Sequence, residues 1–75
     1  MQQYEIYKVV GNKIKQLRLA QGMTPTYLAN RINLSRPSII NIENGVHRIQ
    51  LHTLIEITNV LDVNLYTLLD GNYSE

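Results

Sequence analysis

The chain contains no cysteine, tryptophan or phenylalanine. The lack of cysteine excludes disulfides and thiolate metal sites. No apolar run approaches the roughly 18 residues that a membrane-spanning helix needs, and no signal-peptide pattern opens the sequence. A cytoplasmic protein with no membrane association is the expectation. The two histidines, His47 and His52, have neither a cysteine nor an acid pair beside them, so no metal or cofactor is expected. No nucleophile comes with a base and an orienting group, no carboxylates are paired, and no glycine-rich loop offers a phosphate cradle, so an enzyme is not expected. Proline and glycine are scarce, two and four residues. No linker, repeat or low-complexity tract divides the chain, and its 75 residues read as one domain, 1–75.

Ten Leu, nine Ile and five Val must supply the core. A chain of this size buries only about 60% of its unfolded surface. The net charge of +1 conceals a polarity. Residues 1–48 hold all seven Lys and Arg against two acids, Glu5 and Glu43. Residues 49–75 hold no Lys or Arg and four acids, Glu56, Asp62, Asp70 and Glu75. Such a distribution favours a polyanion at one face and disfavours it at the other.

Residues 24–45, TPTYLANRINLSRPSIINIENG, read as two short helices joined by a tight turn. Thr24 is an N-cap with Pro25 at the first helical position, where a missing N–H costs nothing. Ser35 is a second N-cap, and Gly45 supplies the stop. Asn33 between them tolerates the left-handed conformation, and Ala29 is small enough for the two axes to approach. Ile39 and Ile42 form the inward face of the second helix, which leaves Arg36, Pro37, Ile40, Asn41 and Asn44 outward. That stripe carries no acid, and neither helix has an acid in its first turn, although the helix dipole favours one there. Helix starts free of negative charge suit a surface that faces phosphates. The set describes a helix-turn-helix, which places its second helix in the DNA major groove.

Around this unit, Ile6, Val10, Ile14 and Leu17 mark a helix from about Tyr4 to Gln21, after a short N-terminal extension at residues 1–5, and Gly22 ends it. A fourth helix is expected from about Leu51 to Leu61, poorly capped by Gln50. Asn64 caps a short fifth helix from Leu65 to Leu69 or Asp70, and residues 71–75 form a frayed tail.

The chain resembles the phage repressor/Cro (XRE) class of helix-turn-helix domains. The resemblance is carried by Gly11, Ile14 and Leu17-Arg18, then Gly22-Met23-Thr24, Leu28-Ala29, Leu34-Ser35 and Ile42-Glu43-Asn44-Gly45. Leu54, Leu61, Val63, Leu65 and Leu68-Leu69 complete an apolar framework that spans about Val10 to Leu69. It implies an all-α, compact five-helix bundle that binds double-stranded DNA as a transcriptional regulator. Four departures stand out. Pro25 replaces a residue that is often Gln, Asn33 and Asp62 replace turn glycines, Thr58 stands where Ala is usual, and Ile49 where many members have Pro.

The resemblance implies contacts to bases or phosphates from Arg36, at the tip of the recognition helix. Arg suits bidentate bonding to guanine, and Asn41, one turn on, can pair bidentately with adenine. Ile40 either packs against a thymine methyl or lies under a neighbouring loop. Pro37 can touch a methyl, and Ser38 is a further candidate. Thr24, Thr26, Asn44, His47 and Arg48 are the phosphate candidates, with His47 otherwise an idle loop residue. Arg18 and Glu43 read as a structural ion pair that neutralises an acid beside the phosphates and fixes the recognition helix.

The fourth helix is apolar over about 220°, against the roughly 100° needed to face one core. Ile57 and Val60, with Tyr66 and Leu69 beside them, therefore suggest a homodimer seam; the alternative is a central helix covered on two sides. A dimer would match an inverted-repeat operator read by residues 36–44 of each copy. A second function class is a protein-interaction module, antitoxin- or antirepressor-like, that keeps the fold and has another protein as its target.

Overall fold

The helix boundaries follow the capping residues. The computed structural model describes residues 3–46 and 48–69, with side chains from Glu5 onward. Five helices follow in order: α1 (Gln3–Ala20), α2 (Pro25–Arg31), α3 (Arg36–Glu43), α4 (Leu51–Leu61) and α5 (Leu65–Leu69). No strand occurs among the described residues. Thr24 accepts a hydrogen bond from the Tyr27 N–H at 3.0 Å, Ser35 from the Ser38 N–H at 3.2 Å, and Asn64 from the Thr67 N–H at 3.0 Å. Each bond satisfies one of the amides that a helix start leaves without an internal partner. Gln50 gives α4 no such cap.

The first helix begins within one residue of the start expected at about Tyr4. It already runs at Gln3, so residues 3–5, expected as an extension, are helical. The expected tail at 71–75 and the candidate His47 lie outside the described residues.

The core is one cluster. Val10 and Ile14 come from α1, Leu28 and Ala29 from α2, Ile39 from α3, Leu54, Ile57 and Leu61 from α4, and Leu68 from α5, with Ile32 from the α2–α3 turn. Ala29, 1% exposed, is the small residue at the α2–α3 crossing. The turn between those helices passes through Asn33 at φ 59°, and α4 ends on Asp62 at φ 58°. Both hold the left-handed conformation that Asn and Asp adopt more readily than most residues. Thr58, buried, donates its hydroxyl hydrogen to the Ile55 carbonyl at 2.6 Å. The end of α1 is tied to the end of α4 by Gln21, which donates to the Leu61 carbonyl at 2.6 Å.

The fourth helix corrects the surface expected of it. Ile57 is fully buried, so it faces the core and not a second copy. Helices α1, α2 and α5 all pack on α4, and Ile57 lies inside that enclosure. The apolar side chains that α4 does expose are Leu51 and Ile55.

Candidate nucleic-acid interface

The third helix is seated on the first through three contacts near its C-terminal end. A Cβ on Gly11 would collide with the Ile42 carbonyl oxygen and stand 2.7 Å from that of Glu43. Only glycine lets the two backbones approach so closely. One turn beyond, Gly45 ends the recognition helix at φ 70°. A Cβ there would stand 2.6 Å from Lys8 Cγ and 2.7 Å from the Lys8 Cα and N.

The third contact is the Arg18–Glu43 pair. Arg18 donates from Nε to Glu43 Oε2 at 2.7 Å and from Nη2 to Oε1 at 3.1 Å. Its Nη1 donates to the Met23 carbonyl at 2.7 Å. The two residues are 4% and 5% exposed. The fork thus joins α1, α3 and the turn that leads into α2, and the acid of α3 is turned inward. A bidentate guanidinium–carboxylate geometry is both stronger and more directional than a single charged hydrogen bond.

With Glu43 turned inward, the outer face of α3 carries no acid. Arg36, Pro37 and Asn44 are exposed, and Ile40 and Asn41 are half-buried. At 100° per residue these five share an arc of about 140°. Ser38 departs from them. Its hydroxyl bonds that of Ser35 at 3.0 Å. It also lines a groove of about 230 Å³ between α3 and the start of α4, together with Leu34, Ile42, Arg48 and Gln50. Ser38 therefore lies at the edge of the stripe, on the side of Arg48.

The two helix starts offer fewer amides than their charge suggested. In α2, Pro25 has no N–H, Tyr27 donates to the Thr24 hydroxyl and Leu28 to the Thr24 carbonyl. This leaves the Thr26 N–H as the first-turn amide outside the cap. In α3, Pro37 has no N–H, Ser38 donates to the Ser35 hydroxyl and Ile39 to the Ser35 carbonyl. Arg36 is left with the corresponding amide. Thr24 and Thr26 are exposed, as is Arg48 in the loop after α3.

Sequence reading missed two features of this half of the molecule. Arg31 donates to the Tyr27 hydroxyl at 2.9 Å and lies 5.6 Å from the centroid of its ring. The i, i+4 spacing on a helix was the available signal. The contact between Lys8 and Gly45 had none, because it joins positions 37 residues apart.

The remaining surface divides from this one by charge. Glu56 and Asp62, on α4 and at its end, are exposed, whereas α1 to α3 carry Lys8, Lys13, Lys15, Arg31 and Arg36. On α5, Leu65, Tyr66 and Leu69 line an apolar groove of about 290 Å³, and Tyr66 is 82% exposed. Val60 is half-buried. Among the described residues no three His, Cys, Asp or Glu side chains gather as metal ligands, and no helix is long and apolar enough to cross a membrane.

A family model described as helix-turn-helix matches residues 14–68. The uncharacterised HTH-type transcriptional regulator YqaE of Bacillus subtilis (strain 168) is 34% identical over 62 residues, covering 83% of this chain and 53% of that protein. The chain spans about half the length of the curated relatives it matches. Among solved structures, the N-terminal DNA-binding domain of SinR from Bacillus subtilis superposes with a TM-score of 0.78 at 28% identity, over 88% of this chain and 97% of that one. The restriction-modification controller protein C.AhdI from Aeromonas hydrophila superposes with a TM-score of 0.84, over 91% of this chain and 99% of that one. At 24% identity, that likeness is one of fold.

Proposed function

Because the chain belongs to the helix-turn-helix family of the phage repressor/Cro (XRE) class, we propose that it is a transcriptional regulator that binds operator DNA in the cytoplasm. The observation that carries this reading is the outer face of α3. Its acid is withdrawn into the fork with Arg18, while Arg36 and Asn41 stay outside. Arg36 and Asn41 read base edges, with the Pro37 ring and Ile40 against thymine methyls. Ser38 contributes least to base reading, because its hydroxyl is engaged with Ser35. Thr24, the Thr26 amide, Asn44 and Arg48 hold phosphates and set the register.

One such helix reads only a few base pairs, too little to single out an operator in a genome. We assign the second copy to the far side of the molecule. The α5 groove of Leu65, Tyr66 and Leu69 supports a two-fold pairing, with the half-buried Val60 of α4 as a further candidate. Such a pairing would set two recognition helices about 34 Å apart, one turn of B-DNA. Ile57, buried in the core, has no part in it.

Selection of bound duplexes from a random DNA pool tests the reading. The wild-type chain should enrich an inverted repeat, and Asn41→Ala should lose about 1–3 kcal/mol on it and relax one position of each half-site. Enrichment of no sequence by the wild type would refute operator recognition. Equal weakening on all sequences would make Asn41 a phosphate contact.

A further inference from the structure

We propose that Lys8 of α1 contacts the DNA backbone, at a phosphate beyond the C-terminal end of the recognition helix. The proposal rests on the DNA-binding reading above. Its basis is the seat of Gly45. The missing side chain at Gly45 is what lets the main chain and Cγ of Lys8 lie against the residue that closes α3. Lys8 therefore stands beside Asn44 and Val46, the chain neighbours of Gly45, both exposed. Lys8 itself is exposed.

The helical geometry of α1 agrees with this placement. Gly11 and Arg18 mark the side of α1 that touches α3. Lys8 lies roughly 60° around the helix from Gly11, whereas Val10, in the core, lies roughly 100° away in the other sense. Lys8 thus flanks α3 on the solvent side of the crossing. Lys13, roughly 200° from Gly11, points away from α3. An ammonium on a flexible four-carbon stem suits a phosphate as a point charge. Because α1 begins at Gln3, Lys8 is held on a formed helix and not on a loose N-terminal arm.

A structural role for Lys8 is the rival account. A cation near the C-terminal carbonyls of α3 also favours the helix dipole. Two measurements separate the two roles. Affinity for a labelled random-sequence duplex of roughly three helical turns is measured by anisotropy between about 50 and about 200 mM salt. Melting temperature is measured without DNA. Lys8→Gln should flatten the plot of log affinity against log salt by about 0.9, the value of one phosphate contact. Lys8→Arg should restore the slope, Lys13→Gln should leave it unchanged, and Lys8→Gln should melt with the wild type. If Lys8→Gln keeps the wild-type slope, or if Lys13→Gln flattens it equally, Lys8 makes no specific contact and the proposal fails while DNA binding stands. A lowered melting temperature with an unchanged slope assigns Lys8 to the helix dipole instead. If the wild type binds no duplex at any salt concentration, the DNA-binding reading fails, and this one with it.

Discussion

Replacing Arg18 by methionine keeps a long, flexible side chain and removes the charge and the hydrogen bonds to Glu43 and Met23. The Glu43 side chain, 2% exposed, would then be a buried carboxylate without a counter-ion. Breaking a buried pair in this way costs about 3–5 kcal/mol. The whole domain has little in reserve, because folded chains hold about 0.05–0.15 kcal/mol per residue. For one this small, each kcal/mol moves the melting temperature by roughly 4–8 °C. Arg18→Met should therefore melt about 12 °C or more below the wild type in a thermal scan followed by circular dichroism. The companion Arg18→Met/Glu43→Met replaces both ions by apolar side chains, a change that is often neutral or stabilising, so it should recover most of the loss. An Arg18→Met chain that melts with the wild type but no longer binds DNA would place Arg18 in the interface. A double variant no more stable than the single one would show that the uncompensated carboxylate is not the source of the cost.

Two further outcomes follow from the fold. Leu69→Glu should hold the chain as a monomer in sedimentation at tens of micromolar and reduce operator affinity far more than non-specific affinity; a wild type that is monomeric both alone and on its operator, bound one per site, refutes the α5 pairing. Asp62→Ala should cost up to about 1–2 kcal/mol in denaturant unfolding, because alanine adopts φ 58° less readily than aspartate, whereas Asp62→Gly should not; equal losses would point to the carboxylate and not the backbone.

The local signals in the sequence were strong where the chain makes a turn. Thr24, Ser35 and Asn64 name their helix starts, and Asn33 and Asp62 their left-handed turns, because a cap or a positive φ is decided by a few neighbouring residues. The start of α1 was read to within one residue, at about Tyr4, without any cap to mark it. No Ser, Thr, Asp or Asn precedes Gln3, and the apolar stripe begins only at Ile6. Helix α4 shows a different limit. Periodicity finds an apolar arc but cannot say how many neighbours cover it, so Ile57 read as surface while three helices enclose it. In the candidate site, the outward residues of α3 follow from Ile39 and Ile42 facing inward. The contacts of α3 with Gly11 and Lys8 join distant positions, and no local pattern announces them.

Those contacts hold α3 at its C-terminal end, where residues 42–45 meet Gly11, Lys8 and Arg18. Its other end is held in the core by Ile39, while Arg36 and Pro37 project freely. In the proposed reading, clamping and base contact fall to different residues of one short helix. Substitutions at positions 36, 37, 40 and 41 would alter the outward face of α3 and leave the contacts of residues 42–45 in place. On that reading, the base sequence that such a helix contacts could change while the seat that holds it stays the same.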